Sequence, residues 1–391
     1  MGNYNFDQII DRRATGTVKY EMLPDYFGRR DLLPLWVADM DFATPPFIME
    51  ALRKRLEHPV LGYTVTPETY WQAVIDWQRA RHGWKVQREW LAYIPGIVKG
   101  IGMVVNVFTQ PGDKIIIQPP VYHPFRLVPE GNGREVVMNP LVEQTDGYYR
   151  MDFDQLARVA DERCKVLILS NPHNPAGILW DRATLERLAR FCHERGILVI
   201  SDEIHADMAL WSLRHIPFAS VCDEAAACSI TFGAPSKTFN IAGVVSSFAV
   251  VPDERLRKRF FGWLEANEMD APTLFAPIAT VAAFSDEGEA WRKELIAYIE
   301  GNVEFVEQFC REHLPQIRPL RPQASFLVWL DCRQLGLTHE ALNELFIDRA
   351  RLALNDGEMF GAEGHGFMRL NVGCPRSVLE EALNRLKNAL G

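Results

Sequence analysis

The sequence lacks several features that define particular classes of protein. Its 42 Lys and Arg residues are outnumbered by 51 Asp and Glu, for a net charge of −9, whereas nucleic-acid-binding proteins usually carry a basic excess. No uninterrupted apolar run approaches the roughly 18 residues of a membrane span. The opening stretch MGNYNFDQII has no apolar signal-peptide core. We therefore expect neither a nucleic-acid partner nor a membrane partner.

Paired cysteines, internal repeats and low-complexity tracts are lacking as well. The seven cysteines are scattered along the chain, and none forms a CxxC pair. An odd number of separated thiols is typical of proteins from a reducing compartment. We therefore expect a cytoplasmic protein whose cysteines are buried or free.

Continuous apolar segments in the middle of the chain predict a parallel sheet. The segments DKIIIQPP (113–120), KVLILSNP (165–172) and GILVISDE (196–203) are apolar throughout, which is typical of strands covered on both faces. Between the last two lies DRATLERLARFCHERG, a helical pattern with Asp181 as its N-cap and Gly196 as its stop. Strand, helix and strand make the βαβ unit of a doubly wound α/β sheet.

The last hundred or so residues show a different pattern, and the chain is long enough for two domains. A long helix is predicted over 289–313, followed by strand, helix, strand and a final helix that begins at Ser377 with Glu380 as its capping-box partner. We expect an N-terminal segment (1–45) that joins the small domain, a large cofactor-binding domain (46–284) and a smaller C-terminal α+β domain (285–391).

Reactive side chains follow four of the predicted strands. In open α/β sheets this edge is where ligands bind. The residues are Tyr122 after KIIIQ, Asn174 after VLILS, Asp202 and His205 after ILVIS, and Ser236 and Lys237 after SITFG. Lys237 lies among small and apolar residues, which suits an amine that must lose its charge to act as a nucleophile.

This set of groups fits pyridoxal phosphate, a planar, cationic and phosphorylated ring. A lysine binds its aldehyde covalently, and a carboxylate keeps the ring nitrogen protonated. An aromatic side chain can stack on the ring, and the phosphate needs backbone N–H groups at a helix N-terminus. The stretch IPGIVKGIGMVVNVF, in which Gly96 opens an apolar helix, supplies such a terminus.

Each of these residues also has an ordinary structural interpretation. Lysines are mostly solvated, a carboxylate after a strand is often a helix cap, and Tyr122 could be a half-buried core aromatic. A metal site made by Asp202, His205 and Asp207 is an alternative, but it leaves Lys237 and Asn174 without roles. Their combination favours the cofactor, and we expect no metal site.

In this order, SNPHNPAG, SDEIHAD and SKTFNIAG resemble the fold-type-I pyridoxal-phosphate enzymes of the aminotransferase superfamily. The stretches LPLWVADMDFATPP, LGYT, PPVYHPF and FMRLNVGCPRS resemble one branch, the MalY/PatB-type cystathionine β-lyases, also called carbon–sulfur lyases. The resemblance covers nearly the whole chain. It implies a transferase-like pyridoxal-phosphate fold and a homodimer with its active site at the subunit interface.

The resemblance implies a role for each matching position. Lys237 would bind the cofactor covalently, Asp202 would pair with the ring nitrogen, and Tyr122 would stack on the ring. The remaining positions are Asn174 and His205 near the ring 3-oxygen, Gly96, Ile97, Val98 and Ser236 at the phosphate, Tyr63 reaching the phosphate of the partner subunit's cofactor, Arg369 on the substrate carboxylate, and Trp36 and Ala38 at the substrate entrance.

One departure from the wider superfamily concerns the phosphate. Many aminotransferases place an arginine eight residues after the lysine, where this chain has Val245. Three residues before the lysine, where they often have Ser, it has Ala234. Phosphate binding is therefore expected to be less cationic, as it is in the lyase branch, and the side chains that replace the missing ligands are left open.

The resemblance implies α,β-elimination on L-cystathionine or a related cysteine S-conjugate, which yields a thiol, pyruvate and ammonia. A class I/II aminotransferase is the alternative, because both reactions begin with removal of the α-proton. A regulatory role through surface binding is a hypothesis of another class, and the sequence displays no patch for it.

Overall fold

A sheet of seven strands lies at the centre of the structure, a computed structural model that describes residues 4–391. The strands of the molecule are β1 (Leu33–Pro34), β2 (Leu91–Ile94), β3 (Lys114–Ile117), β4 (Glu135–Met138), β5 (Val142–Glu143), β6 (Tyr149–Arg150), β7 (Cys164–Ser170), β8 (Leu198–Asp202), β9 (Ser229–Gly233), β10 (Ser247–Val250), β11 (Arg318–Leu320), β12 (Leu327–Asp331), β13 (Leu352–Ala353), β14 (Asn355–Asp356) and β15 (Phe367–Asn371). The central sheet has the order β2-β10-β9-β8-β7-β3-β4, and only β10 runs antiparallel to its neighbours. The predicted α/β class with a mainly parallel sheet is confirmed.

Helices connect these strands. The α-helices are α1 (Val18–Glu21), α2 (Leu23–Phe27), α3 (Pro46–Leu56), α4 (Glu68–His82), α5 (Ile97–Phe108), α6 (Pro124–Gly131), α7 (Phe153–Val159), α8 (Arg182–Glu194), α9 (Asp223–Ala227), α10 (Glu254–Ala266), α11 (Phe275–Ala283), α12 (Asp286–His313), α13 (His339–Glu344) and α14 (Arg376–Leu390). Short 3-10 helices span Arg88–Trp90, Ala206–Met208, Phe218–Ser220, Ala242–Val244, Arg333–Leu335, Gly357–Phe360 and Ala362–Gly364, and a π-helical turn spans Leu345–Arg349. Within residues 4–391, none of the helices combines the length and the apolar character that a membrane crossing requires.

The central strands are apolar throughout because helices cover both faces of the sheet. Along β7, Val166 and Ile168 belong to the apolar cluster that contains residues of α5 and α10. The intervening Leu167 and Leu169 belong to a separate cluster that contains residues of α8. Successive side chains of a strand point to opposite faces, so each face of β7 packs against its own layer of helices.

Helix α5 approaches the sheet closely at Gly100, near its N-terminus. A Cβ atom added at Gly100 would lie 2.7 Å from Cδ1 of Ile94 and 3.0 Å from Cζ of Phe232. A larger residue would require these two side chains to shift, so glycine suits this approach. The first turn of α5 is thereby held at the edge where β2 and β9 end.

A second, antiparallel sheet of order β11-β12-β15-β14 lies in the C-terminal part of the chain. The N-terminal segment reaches this part, because β1 pairs in parallel with β13. Asn371 of β15 donates hydrogen bonds from Nδ2 to the carbonyls of Val37 and Asp39, each at 2.7 Å. The division into three parts remains a prediction, and its first three residues lie outside the part of the chain described here.

Two helix starts show where local sequence signals hold and where they do not. The N-cap of α8 is Asp181, which accepts a hydrogen bond from the Thr184 amide at 2.8 Å, as predicted. The predicted start of α14 at Ser377 is wrong, because the helix begins at Arg376 after Pro375. The hydroxyl of Tyr298 accepts the Arg376 amide at 2.8 Å, so a contact from α12 satisfies the donor that a capping side chain would have served.

Other boundaries shift by a few residues. Helix α12 begins at Asp286 rather than 289, because Ser285 caps it by accepting from the Gly288 amide. The helix predicted over HEALNELFIDRARLA ends as α13 at Glu344 and continues as the π-helical turn Leu345–Arg349. The segment before residue 45 contains the short helices α1 and α2.

Candidate active site

A cavity of about 300 Å³ opens at the ends of the central strands. Its walls come from the segments that follow β2, β3, β7, β8 and β9 and from the N-terminal segment. The lining residues include Ala38, Gly96, Ile97, Val98, Lys99, Tyr122, Asn174, Asp202, His205, Ser236, Lys237 and Val245. The structure therefore brings together ten of the residues singled out from sequence, namely Ala38, Gly96, Ile97, Val98, Tyr122, Asn174, Asp202, His205, Ser236 and Lys237.

Lys237 extends into this cavity from the turn after β9. Its Nζ atom donates a hydrogen bond to the carbonyl oxygen of Ala38. Burial, with a further contribution from the charge of Arg369, lowers the pKa of Lys237 to about 8. At pH 7 roughly a tenth of this amine is therefore uncharged and able to attack a carbonyl carbon, far more than for an ordinary lysine.

Asp202 is the last residue of β8, and its carboxyl group is buried in the cavity wall. Burial raises the pKa of Asp202 to about 6, and a hydrogen bond of 3.1 Å from the Ile204 amide to Oδ1 counteracts this only in part. Side chains alternate along the strand, and the next residue, Glu203, binds Nε2 of His215 at 2.7 Å instead. Asp202 is therefore a buried acid that lacks a cationic hydrogen-bond partner within residues 4–391.

His205 lies three residues further on, also in the wall. It is buried, its Nδ1 atom has no hydrogen-bond partner within residues 4–391, and burial lowers its pKa well below the usual value. A neutral imidazole with a free nitrogen can donate to or accept from a polar atom of a bound molecule. Tyr122 lies in the wall as well, and burial raises its pKa, so that it stays a neutral phenol.

Arg369 on β15 is buried and reaches the cavity wall through Asn174. Its Nη1 donates to Oδ1 of Asn174 at 3.0 Å, and its Nη2 donates to the carbonyl of Trp36 at 3.0 Å and to Oδ1 of Asn355. Its Nε has no partner among the described residues. All its partners are uncharged, and burial lowers its pKa to about 10. The guanidinium can thus accept a carboxylate without first breaking an ion pair.

The first turn of α5 forms part of the cavity wall. Gly96 precedes this turn with φ of 117°, a conformation that favours glycine. The N–H groups of Ile97 and Val98, like those of any first helical turn, have no intrahelical acceptor. These free donors and the helix dipole suit a phosphate group, and Ser236 lines the same cavity.

Besides Arg369, two of the predicted site residues, Trp36 and Tyr63, lie outside the cavity lining. The indole of Trp36 donates to the carbonyl of Lys19 at 3.0 Å and packs against Tyr26, with ring centroids 5.0 Å apart. Only the backbone of Trp36 reaches the site, through Arg369. Tyr63 is fully exposed in this single chain, on the loop between α3 and α4.

Sequence reasoning missed Lys99, which lines the cavity next to Val98. It is exposed, occupies the first turn of α5, and forms no ion pair within residues 4–391. Helical side chains lean toward the helix N-terminus, so a cation here points to the end that suits a phosphate. Its position in IPGIVKG, beside the predicted phosphate residues, was the signal that could have identified it.

Sequence reasoning also missed the contacts that hold the N-terminal segment over the site. Lys19 is completely buried, and its Nζ donates to the carbonyl of Asp39 at 3.1 Å and to Oδ2 of Asp41 at 3.0 Å. Arg12 forms ion pairs with the carboxylates of Asp39 and Asp41. Burial alone would raise the pKa of Asp39, but these cations hold it below the usual value. The backbone next to Ala38 is fixed by this cluster.

The alternative metal site receives no support from the geometry. Asp207 is buried away from the cavity and accepts hydrogen bonds from Nε1 of Trp77 and from His82, both at 2.9 Å. The oxygen and nitrogen atoms of Asp202, His205 and Asp207 do not come close enough together to bind one metal ion. Within residues 4–391, the one group of side chains that does so contains none of these three residues.

The residues in the cavity fit pyridoxal 5'-phosphate. A lysine with a lowered pKa can bind the aldehyde, and a buried acid that lacks a cation can pair with a protonated ring nitrogen. The unpaired Nδ1 of His205 and the free amides at the start of α5 can hold the ring oxygen and the phosphate. Several otherwise unsatisfied groups thus find partners in a single molecule.

Comparisons with known proteins agree with this fit. Residues 30–386 match the family model of class I and II aminotransferases. The cystathionine β-lyase PatB of Bacillus subtilis is 43% identical over 99% of this chain and 100% of its own length, and the protein MalY of Escherichia coli is 33% identical over 99% of both chains.

The structure of cystalysin from Treponema denticola, which contains pyridoxal 5'-phosphate, superposes with a TM-score of 0.94 at 34% identity, over 99% of this chain and 98% of that one. The family and fold inferred from the sequence motifs are confirmed. The chain belongs to the family of class I and II aminotransferases, on the branch that includes PatB and MalY, and pyridoxal 5'-phosphate is its cofactor.

Proposed function

We propose that this protein is a carbon–sulfur β-lyase that acts on L-cystathionine or a related cysteine S-conjugate. The bond between the β-carbon and sulfur breaks, and with one water molecule the products are a thiol, pyruvate and ammonia. From cystathionine the thiol is homocysteine. The observation that carries the proposal is Lys237, an amine with a pKa of about 8 inside the cavity, in a chain 43% identical to a cystathionine β-lyase.

The cofactor supplies a place for the electron pair that the substrate α-carbon retains when it loses its proton. Asp202 would hold the proton on the ring nitrogen. Asn174 and His205 would bind the ring 3-oxygen, and Tyr122 would stack on the ring. The amides of Ile97 and Val98 at the start of α5, with Gly96, Ser236 and Lys99, would bind the phosphate. Lys99 would supply a positive charge at the phosphate, which many aminotransferases obtain from an arginine at the position of Val245.

Lys237 would act twice. Its neutral amine would hold the cofactor, and in its free form Nζ would take the α-proton of the substrate. A base with a pKa of about 8 is well matched to this step near neutral pH. Removing the proton prepares the β-carbon to release its sulfur substituent, and a thiolate is a good leaving group.

Arg369 would bind the substrate α-carboxylate. Its present partners are neutral oxygen atoms of Asn174, Asn355 and Trp36, and a bidentate carboxylate bond is stronger than these. The carboxylate also fixes which face of the α-carbon meets Lys237. Ala38, whose carbonyl now holds Lys237, lies where the substrate would enter.

Product analysis tests the reaction. Purified protein and L-cystathionine are incubated with and without a 2-keto acid, and pyruvate and homocysteine are measured. We expect equal formation of both products without the acceptor, and none from Lys237→Ala, which should also lack the visible absorption of the bound cofactor. Strict dependence on the keto acid would reverse the assignment in favour of an aminotransferase.

The working form is proposed to be a cytoplasmic homodimer whose small domain, 285–391, carries the segment 1–45 beside it. The dimer is supported by an exposed apolar loop around Tyr63 that includes Val60, Leu61 and Val65, because a large exposed apolar patch marks an interaction surface. The location is supported by seven free cysteines, since a reducing compartment keeps thiols unpaired.

A further inference from the structure

Outside the active site, two histidines and a glutamate converge on the surface of the C-terminal part of the chain. His339 begins α13, Glu358 lies in the 3-10 helix Gly357–Phe360, and His365 precedes β15. One ligand atom from each lies within 4.8 Å of the others, and no other such group occurs within residues 4–391. Residues from three separate elements thus meet at one point that the proposed lyase reaction does not use.

The spacing of the ligand atoms suits a tetrahedral metal ion. Oε1 of Glu358 lies 3.3 Å from Nδ1 of His339 and 2.6 Å from Nδ1 of His365. Zinc bonds of roughly 2.0–2.2 Å place neighbouring tetrahedral ligands roughly 3.3 Å apart. The first distance already matches, and the side chain of His365 is 61% exposed, so it can adjust to reach the second.

Asp356 supports this arrangement from behind His339. Its Oδ2 lies 3.1 Å from Nε2 of His339. Nδ2 of Asn343 also lies 3.0 Å from Nε2. When a metal takes the lone pair of Nδ1, the proton must lie on Nε2, which then donates to Asp356, while the Asn343 amide keeps its bond to Asp356. Metal-binding histidines almost always donate the other ring N–H to a carboxylate, a backbone carbonyl or water, and this partner fixes the tautomer.

Asp356 is itself held in place. Its Oδ1 accepts the Glu358 amide at 3.0 Å, and its Oδ2 accepts Nδ2 of Asn343 at 3.2 Å. Residue 356 also pairs with Met368 in the antiparallel sheet. A ligand set with a fixed supporting carboxylate is more than a random surface cluster.

We propose that His339, Glu358 and His365 form a binding site for a zinc ion, with Asp356 as the supporting carboxylate. Two imidazoles and one carboxylate favour zinc or a similar transition metal over magnesium or calcium, which prefer all-oxygen sites. Three protein ligands leave the fourth position to water.

A metal here would join α13 to the segment 355–365. The same segment reaches the active site, since Asn355 binds Arg369 and the ring of Phe360 lies 4.9 Å from the Arg369 guanidinium carbon. The carbonyl of Phe360 also accepts the amide of Val121, next to Tyr122, at 2.7 Å. Zinc would therefore stabilise the part of the chain that orients Arg369.

Calorimetric titration of the cofactor-loaded protein with zinc chloride, after removal of trace metal by a chelator, tests the proposal. We expect one zinc ion per chain and no binding of magnesium. His365→Asn and Glu358→Gln should abolish this binding. Asp356→Asn, which keeps an oxygen for the Glu358 amide, should weaken it 10- to 100-fold.

The control is His58→Asn, which removes an exposed histidine outside the cluster and should leave zinc binding unchanged. Because the altered side chains are exposed or half-buried, the variants should fold, which an unchanged absorption spectrum of the bound cofactor would verify. Zinc should raise the melting temperature of the wild-type protein and not that of His365→Asn. Absence of zinc binding, or equal binding by the wild type and both ligand variants, would overturn the proposal.

Discussion

Asp202 makes the fold less stable when no cofactor is bound. Burial raises its pKa from 3.8 to about 6, so the folded protein disfavours the charged form. This loss of stability develops as pH rises from 3.8 to about 6 and is complete above that range. A difference of this size corresponds to at most about 3 kcal/mol.

We expect Asp202→Asn to stabilise the cofactor-free protein at pH 7 by about 2–3 kcal/mol, while activity is lost. Asn keeps an oxygen for the Ile204 amide. The advantage should vanish below pH 3.8, where Asp202 is protonated in both states. Urea unfolding at pH 7 and below pH 3.8 measures this difference in stability, and Asp270→Asn, at an exposed position, is the control. Equal stability of wild type and Asp202→Asn at pH 7 would contradict the expectation.

Lys99 offers a second test at the scale of single residues. If it binds the cofactor phosphate, Lys99→Met should weaken pyridoxal 5'-phosphate binding about tenfold, or roughly 1.4 kcal/mol, because one exposed cation is lost at the helix N-terminus. Binding to cofactor-free protein can be followed by the quenching of its tryptophan fluorescence. The matched control is Lys85→Met, which also removes an exposed lysine.

The same experiment with pyridoxal, which has no phosphate, distinguishes a loss of attraction to the phosphate from a change in the shape of the cavity. Its affinity should be the same for wild type and Lys99→Met, since it carries no phosphate for the lysine to attract. An equal loss of affinity for both molecules would show that Lys99 acts on the shape of the cavity instead.

At the scale of elements, the N-terminal segment depends on a buried charge cluster. Lys19→Met would leave Asp39 and Asp41 with Arg12 as their remaining cation. We expect a loss of about 2 kcal/mol in the free energy of unfolding, less than for a fully buried pair because both carboxylates are partly exposed. Urea unfolding measures this, with Lys85→Met as control.

The Michaelis constant for cystathionine should also rise in Lys19→Met, because the backbone at Ala38 loses its support. A variant with wild-type stability and an unchanged Michaelis constant would contradict the role given to the cluster.

Elements with a strong local signal were predictable, and those fixed by distant contacts were not. Strands β7 and β8 followed from their apolar runs, and Asp181 capped α8 as expected. The start of α14 depends on the hydroxyl of Tyr298, from another helix, so no local pattern encodes it.

The same distinction applies to the candidate site. Lys237, Asp202 and Asn174 could be found because each follows a strand whose end is set by its own sequence. The orientation of the Trp36 indole depends on Lys19 and Tyr26, and only the folded chain shows it. Lys99 was overlooked because a lysine in a helical pattern is ordinarily a solvated residue.

At the scale of the whole molecule, the exposed Tyr63 leads to a test of the homodimer. If Tyr63 serves the partner's site, Lys237→Ala and Tyr63→Ala would each impair every site of their own homodimer. In a hybrid dimer, one site combines the intact Lys237 of one chain with the intact Tyr63 of the other. Mixing the two variants under conditions that allow subunit exchange should therefore restore activity.

The size of the recovery should follow the fraction of hybrid, measured by sedimentation and by tagging one variant. Mixtures of Lys237→Ala with Asp202→Asn are the control, because both residues belong to the same chain's site and no hybrid site is intact. A monomer in solution, or hybrids without recovered activity, would contradict the shared site.

The carbonyls of Trp36 and Ala38 accept hydrogen bonds from two cations of the site, Arg369 and Lys237. The backbone of residues 36–38 therefore binds the same two side chains that would bind the substrate and the cofactor. A newly made chain can settle into its final shape before any vitamin B6 derivative reaches it, because its interior positive charges are already matched by dipoles of its own. Binding of the cofactor and of the substrate then exchanges one oxygen partner for another at these two cations, so that neither Arg369 nor Lys237 loses its hydrogen-bond partner.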